Sequence, residues 1–243
     1  MILTDTIRQI HVASNGVYGA RRVHAELTLG RGIQVWHGTV EIADGPRRPE
    51  GRRGPAQVAA PVPELISRDL VDRQFRREGL DQLWVTDITE HPTREGKVYC
   101  AVVLDACSRR VVGWSIDSTP TAALVTRALG MAIDTRRPPP GTVIHCDHGV
   151  QLGSWAFTRR ARDSGLIPSM GSIGDCYDNA VIESFWSRMQ VELLDRCRWR
   201  TRLELANAMF EYLEIFHNRQ RRHSSIGWLT PVEFETRQPI TVA

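Results

Sequence analysis

Short apolar runs dominate the middle of the chain and predict β-strands there. The segments 82–89, 97–105 and 110–117 are rich in β-branched and aromatic residues, and turn-forming residues separate them. These three segments are therefore predicted to form an antiparallel meander. The apolar run 141–147 predicts a fourth strand, and "LIPSM" (166–170) predicts a brief fifth one.

Helical patterns fall between and after these strands. The predicted helices cover 121–134, 154–165, 178–194 and 201–219. Thr201 and Glu204 have the spacing of a capping box at the start of the last helix. A meander followed by alternating strands and helices predicts an α/β fold. Its mixed sheet has three antiparallel strands plus two parallel ones, flanked by helices, which is the ribonuclease-H-like layout.

The first 45 residues also carry helical patterns. "TDTIRQIHVA" starts at Thr4, a candidate N-cap, and "YGARRVHAEL" follows it. The next segment is dense in Gly, Pro and Arg, which predicts a linker. The predicted domains are a small helical N-terminal segment (1–45), an Arg/Pro/Gly-rich linker (46–80), a core (81–195) and a C-terminal helix with a basic tail (196–243).

The composition is that of a globular protein with an ordinary core. The chain has 243 residues, of which 42% are hydrophobic and 24% charged. It contains no apolar run long enough for a membrane span and no secretory signal pattern, so we expect no membrane association and a cytoplasmic location. The five cysteines form no CxxC pair, which argues against a zinc ribbon or disulfide framework and favours buried small hydrophobes.

The basic residues are almost all arginines. Lys97 is the only lysine among 31 basic residues, and the formal net charge is +3. Arginine binds phosphate well, so this bias is compatible with nucleic-acid binding, although a GC-rich genome would produce it without any function. The run "HNRQRRHSS" places Arg219, Arg221 and Arg222 together, and these are predicted to contact DNA phosphates. A solvated helix end is the alternative.

Three carboxylates occupy unusual positions in the predicted elements. Asp87 lies in the middle of the first strand, which is a costly place for a charge unless that face forms a site. Asp147 ends the fourth strand, and Glu183 lies in the first turns of a helix. In a ribonuclease-H-like sheet the first and fourth strands are neighbours, so the three groups could converge. Converging carboxylates repel unless they are protonated or bridged by cations, and oxygen ligands favour two Mg²⁺ or Mn²⁺ ions.

Other interpretations of these residues remain open. Glu183 could be a solvated glutamate on an amphipathic surface helix, whose polar side carries Asn179, Ser187 and Gln190. Asp105 and Asp117 end strands and rival Asp87, although solvated aspartates near turns are common. His145 and His148 flank a cysteine, but their spacing fits no common zinc site. His145 is expected to be structural.

Three segments together resemble a known family. "LWVTDIT", "HCDHGVQ" and "GDCYDNAVIESFW" are similar to the three catalytic blocks of the DD(35)E integrase core, and 35 residues separate Asp147 from Glu183. The chain most resembles the transposases of the IS-three family of bacterial insertion sequences. "YGARRVHAEL" resembles the helix-turn-helix-like segment that precedes that core. "FHNRQRRHSSIGWLTPVEFE" (216–235) resembles the family's C-terminal signature.

The resemblance implies a DDE transposase. Asp87, Asp147 and Glu183 would then be the catalytic, metal-binding residues. The reaction would be Mg²⁺-dependent strand cleavage at element ends and joining of a 3′-hydroxyl to another phosphodiester, which is DNA integration and transposition. The implied partners are double-stranded DNA (terminal repeats and target), an upstream-frame product or fusion protein, and further copies of the chain on DNA.

The chain departs from the family pattern at several positions. His148 stands where arginine or serine is common, and Gln190 stands where a lysine is common, with Arg188 nearby. We expect His148, Asn179, Arg188 and Gln190 to contact DNA. The N-terminal segment breaks into Gly, Pro and Arg where the family has an apolar helix. One rival hypothesis is therefore a catalytically inert DNA-binding regulator or remnant. Another is a nuclease of the same fold that cleaves without joining.

Overall fold

A computed structural model describes most of the chain in two compact units. The described residues are 2–36, 38–40, 69–71, 74–147, 151–171 and 180–238. One unit comprises 61–218, and the other combines 1–60 with 219–243. No helix in the described ranges is long and apolar enough to cross a membrane.

The larger unit is built around a five-stranded mixed sheet. Its strands are β1 (Leu83–Thr93), β2 (Gly96–Asp105), β3 (Val111–Asp117), β4 (Val143–Cys146) and β5 (Ile167–Met170). Their order is β3-β2-β1-β4-β5. The β1–β2 and β2–β3 pairs are antiparallel, whereas β1–β4 and β4–β5 are parallel. This topology confirms the predicted fold class.

The first strand is longer than its sequence pattern indicated. Pairing continues through His91 and Pro92 to Thr93, which lies opposite Gly96. Gly96 has a φ of +122°, a backbone conformation that favours glycine, and the hairpin therefore closes with a two-residue turn. The polar "EHPT" segment was predicted as a loop because its composition is typical of turns, but the tight turn after it keeps it in the sheet.

Two helices cover one face of the sheet. They are α3 (Ala122–Arg136), which is capped by Thr121, and α4 (Trp155–Asp163), which is capped by Ser154. The core on this face contains Trp84, Ile144, Leu124, Leu129 and Phe157. A side chain at Gly113 would collide with the backbone of α3, so glycine at this position lets the helix lie close on β3.

The opposite face is covered by the helices that follow β5. They are α5 (Ala180–Glu192), a short 3-10 turn (Leu194–Arg196) and α6 (Arg202–Glu211), which continues as a π-helix over Tyr212–Gln220. Helix α5 packs on β1, and α6 packs on β2. Buried apolar side chains from both helices line this layer: Ile182, Phe185, Met189, Leu205 and Met209.

Only half of the predicted capping box at α6 is present. The Thr201 side chain accepts a hydrogen bond from the backbone N–H of Glu204. The Glu204 carboxylate accepts from the backbone N–H of Arg200 and not from that of Thr201. A complete capping box instead begins α7 (Pro231–Arg237), where Thr230 and Glu233 satisfy each other's backbone groups.

The smaller unit contains the two ends of the chain. Its other helices are α1 (Ile2–Ala13), α2 (Ala20–Ala25) with a π-helical continuation (Glu26–Gly30), a helical stretch at 38–40 and a 3-10 turn (Ser224–Ile226). Thr4 was predicted as an N-cap, but α1 has already begun at Ile2, so Thr4 lies inside the helix.

The end of the predicted linker packs on the larger unit. Most of 46–80 lies outside the described residues, but 69–71 and 74–80 are described. Val71 and Phe75 are buried, and the backbone N–H of Leu70 donates to Ser169 Oγ at 2.9 Å. The ring of Phe75 meets His145 edge-on. This part of the chain therefore belongs to the sheet layer and is not a free connector.

Candidate active site

The sheet brings Asp87 and Asp147 to adjacent strands. Thr86 of β1 pairs with Cys146 of β4 in parallel register, so the next residue on each strand is an aspartate. Trp84 and Cys146 belong to the core under α3 and α4, and side chains alternate across the sheet, so Asp87 and Asp147 lie on the opposite face, which α5 covers. Asp87 is partly buried, and Asp147 is exposed at the carboxyl end of β4.

Helix α5 brings Glu183 to the same region. Glu183 lies in the first turn of the helix and is exposed, while Ile182 and Phe185 on either side of it are buried. One turn later, the Trp186 indole N–H donates to Asp87 Oδ2 at 3.0 Å. This hydrogen bond fixes the first turns of α5 against the middle of β1.

The pKa of Asp87 is raised by its burial and by the charges of the other two carboxylates. Burial is the largest cause that raises the pKa of Asp87 from 3.8 to about 7, and the negative charges of Asp147 and Glu183 raise it further. Hydrogen bonds from the Ile88 backbone and the Trp186 indole lower the pKa and only partly offset this effect. Ionising the Asp87 carboxyl therefore costs free energy, and a nearby positive charge would remove this cost. We refer to these three residues as the carboxylate triad.

The donor chemistry of the carboxylate triad suits a hard divalent cation. All of its donors are carboxylate oxygens, which Mg²⁺ and Mn²⁺ prefer. Within the described ranges, no group of three or more His, Cys, Asp or Glu side chains is arranged as a closed set of metal ligands. The triad thus fits such a cation by charge and donor type, while its side chains do not form a ready-made cage.

The other residues near the triad, which were predicted to contact DNA, have different surroundings. His148 and Asn179 lie outside the described residues. Arg188 is exposed on α5. The Gln190 side-chain amide donates to Asp195, so this side chain is engaged within the protein.

The predicted basic run is largely buried. Arg219 is exposed, but Arg221 and Arg222 are 5% and 3% exposed. Arg222 forms ion pairs with Glu26, at 2.8 Å, and with Glu233. The prediction that Arg221 and Arg222 contact DNA therefore conflicts with their burial. Arg222 satisfies buried charges inside the smaller unit and does not offer its guanidinium to a phosphate.

The rival acidic and histidine residues have structural roles. Asp105 was expected to be solvated, but it is buried and accepts hydrogen bonds from the backbone of Asp81, Cys107 and Ser108. Asp117 forms an exposed ion pair with Arg127. His145 is buried against Ser169 Oγ at 3.0 Å, as expected for a structural histidine.

The cysteines follow the expected pattern with one exception. Cys100, Cys107 and Cys146 are buried free thiols, and burial raises the pKa of Cys146. Cys197 is an exposed free thiol, although we expected a buried one. Cys176 lies outside the described residues.

One residue at the site had not been predicted from the sequence. Trp186 was not among the predicted site residues, yet its indole N–H donates to Asp87. Its position three residues after Glu183 was an available signal, because residues three apart lie on the same side of a helix.

Comparisons with known proteins identify the family of the chain. Residues 78–176 and 164–231 each match a family described as the integrase core domain. The transposase for insertion sequence IS904 of Lactococcus lactis is 31% identical over 245 residues, covering 96% of this chain and 93% of the relative. The transposase InsF for insertion sequence IS3A of Escherichia coli is 38% identical over 172 residues, covering 71% of this chain and 60% of the relative.

A solved structure supports the fold. The cryo-EM structure of the simian T-cell lymphotropic virus intasome in complex with the PP2A regulatory subunit B56 gamma matches 96% of this chain and 76% of the matched chain, with a TM-score of 0.53 at 13% identity. At this identity the match bears on fold alone. With the matches to the family and to the transposases, the chain belongs to the integrase-core transposases of the IS3 family and is a DDE-type polynucleotidyl transferase.

Proposed function

We propose that the protein cleaves DNA strands at the ends of an insertion element and transfers them to a target, using Asp87, Asp147 and Glu183 as its catalytic residues. The observation that carries this proposal is geometric: the parallel register of β1 and β4 places Asp87 beside Asp147, and the hydrogen bond from Trp186 to Asp87 brings the helix that carries Glu183 to the same place. Three mutually repelling carboxylates at one edge of a sheet are costly for folding, and such clusters are typical of functional sites.

The three carboxylates have distinct surroundings. Asp147 and Glu183 are exposed and can meet a DNA phosphate together with its bound cations. Asp87 is held from one side, because its Oδ2 accepts a hydrogen bond from the Trp186 indole N–H. Two Mg²⁺ or Mn²⁺ ions bound by these oxygens would activate the attacking water or 3′-hydroxyl and stabilise the leaving oxygen.

We propose double-stranded DNA as the substrate, both as terminal repeats and as target. The printed names of the relatives, which are transposases of insertion sequences, support this choice. Arg188 is exposed on α5 beyond Glu183 and is a candidate phosphate contact, and His148 and Asn179 remain candidates. We also propose that several copies of the chain assemble on DNA, because the reaction acts on two element ends. An upstream-frame product is proposed as a further partner.

The test is a cleavage-and-joining assay on DNA from the flanks of the gene. The purified chain, alone and with the product of any overlapping upstream frame, is incubated with labelled DNA in Mg²⁺, Mn²⁺ or EDTA. We expect metal-dependent nicks with 3′-hydroxyl ends at a repeat boundary, followed by joined product. Binding without nicks under every condition would favour an inert DNA-binding regulator, and nicks without joining would favour a nuclease.

A further inference from the structure

Four exposed arginines lie close together at the hairpin end of the sheet. Arg94 occupies the turn between β1 and β2, and Arg196, Arg198 and Arg200 alternate along the segment after α5. Cys197 has an extended backbone (φ −149°, ψ 171°), which turns Arg196 and Arg198 to the same side, and Arg198 and Arg200 are exposed on either side of the buried Trp199. We call Arg94, Arg196, Arg198 and Arg200 the arginine strip.

Backbone contacts hold the strip in place. The N–H of Arg94 donates to the carbonyl of Trp199 at 3.2 Å, and the buried Trp199 indole donates to the carbonyl of Leu194 at 3.1 Å. Arg202 crosses to the hairpin, where its N–H donates to Glu95 and its Nε donates to the carbonyl of Lys97. These contacts fix the two segments to each other without using the guanidinium groups of the strip.

The charges of the strip are not neutralised by ion pairs. Across the described part of the chain, none of its four guanidinium groups forms an ion pair, whereas Arg136 and Arg222 are bound to carboxylates. The neighbouring acids already accept other hydrogen bonds. Glu95 accepts from the N–H of Arg202, Glu204 from the N–H of Arg200, and Asp195 from Gln190. The strip therefore presents free positive charge to the solvent.

The strip and the carboxylate triad lie along the same path. Helix α5 meets Asp87 through Trp186, and the segment that follows it reaches the hairpin turn through Arg94. From Asp87 to the turn, β1 spans roughly 20 Å at about 3.3 Å per residue. That length corresponds to about six base pairs of duplex DNA at 3.4 Å each.

We propose that the arginine strip binds the phosphate backbone of duplex DNA about six base pairs from the phosphate that reacts at the carboxylate triad. The distance to the reacting phosphate rests on the proposed function, whereas the binding of DNA by the strip does not depend on it. In this role the strip replaces Arg221 and Arg222, whose burial removes them from the surface.

The first test measures binding to a random-sequence duplex in EDTA, where no chemistry occurs. The double variant Arg198→Ala, Arg200→Ala should flatten the plot of log K against log salt by about two units, because each lost phosphate contact removes about one. The matched control is Arg160→Ala, Arg162→Ala on α4, which covers the opposite face of the sheet and loses the same charge. The control should keep the wild-type slope. The variant Arg198→Lys, Arg200→Lys, which keeps both charges, should also have a slope close to that of the wild type.

An unchanged slope in the strip variant, or an equal change in the control, overturns the inference. The strip variant could bind DNA less tightly than the wild type while no nicks form in the cleavage assay. That result would support DNA binding by the strip and contradict the proposed reaction. If nicks form but the salt slope of the strip variant is unchanged, the proposed reaction is supported and DNA binding by the strip is contradicted. Both variants should melt within a few degrees of the wild type, since all four side chains are exposed.

The second test locates the strip on DNA. For this test Arg198→Cys is made in a chain whose Cys176 and Cys197 are replaced by serine, and the thiol at position 198 displaces the leaving thiol of an activated disulfide placed on a DNA phosphate. Cross-linking should be strongest about six base pairs from the mapped cleavage position. Uniform cross-linking along the duplex, or none near that position, would contradict the proposed placement.

Discussion

The indole N–H of Trp186 donates to Oδ2 of Asp87 at 3.0 Å, and this contact joins helix α5 to the centre of β1. The same helix carries Glu183 one turn earlier. The ring of Trp186 also packs edge-on against Phe185, with ring centroids 4.8 Å apart. One helical turn thus supplies a carboxylate to the triad and orients another carboxylate on the neighbouring strand.

Replacing Trp186 by phenylalanine should weaken the site without unfolding the protein. The variant keeps an aromatic ring beside Phe185 but loses a hydrogen bond to a carboxylate, a contact of about 1.5–3 kcal/mol. We expect the cleavage rate to fall about ten-fold or more and the Mg²⁺ concentration for half-maximal thermal stabilisation to rise. Trp155→Phe, on an exposed side chain of α4, is the control. A rate and a Mg²⁺ dependence equal to those of the wild type would show that the indole does not position Asp87.

The metal-free protein should lose stability as the pH rises from about 4 to about 7. Asp87 has a pKa of about 7 in the folded protein against 3.8 ordinarily, so the folded state holds a proton that the unfolded chain has lost. Because the unfolded state binds fewer protons in this window, the free energy of unfolding falls as the pH rises. The expected loss is on the order of 1 kcal/mol or more, and melting curves in EDTA measure it.

Asp87→Asn tests the origin of this pH dependence. The variant should melt at a higher temperature than the wild type above about pH 7 in EDTA, since it lacks the repelled charge. Mg²⁺ should raise the melting temperature of the wild type and leave that of the variant nearly unchanged. The control is Asp134→Asn, on an exposed carboxylate of α3. A variant as pH-sensitive as the wild type would assign the effect to another group.

Arg222→Ala should destabilise the smaller unit while leaving the salt dependence of DNA binding unchanged. Arg222 is 3% exposed and pairs with Glu26 and Glu233, so its removal leaves two carboxylates without their cation. Breaking a buried ion pair costs about 3 kcal/mol, which urea unfolding would detect. Arg219→Ala, at an exposed position, should change stability little. A flatter salt slope with normal stability in Arg222→Ala would restore the phosphate contact that the sequence predicted.

The sheet and the positions of the triad could be predicted because local pattern determines them. Apolar runs and turn residues mark the meander, and the parallel pairing of β1 with β4 then places Asp87 beside Asp147 without further information. The spacing of α5 similarly buries Ile182, Phe185 and Met189 and exposes Glu183. Each of these features depends on residues that are close in sequence or on a common topology.

The features that escaped prediction depend on partners far away in sequence. From the local sequence alone, Arg222 resembles a solvated arginine. Its partner Glu26 lies almost two hundred residues earlier, and only the fold brings the two together. From the local sequence alone, Asp105 resembles a solvated turn residue. In the fold, its carboxylate accepts a hydrogen bond from the backbone N–H of Asp81. The arginine strip likewise depends on the contact between Arg94 and Trp199, which no local pattern encodes.

The measurement that tests the central claim most directly is single-turnover strand cleavage by Glu183→Gln in Mg²⁺, with DNA binding measured on the same sample. The glutamine keeps the size of the side chain and removes its charge, and Glu183 is exposed, so the fold should be retained. We predict that cleavage and joining are abolished while duplex affinity stays within a few-fold of the wild type; the exposed Glu211→Gln serves as the control. Cleavage at a near-normal rate by Glu183→Gln would contradict the assignment of the carboxylate triad.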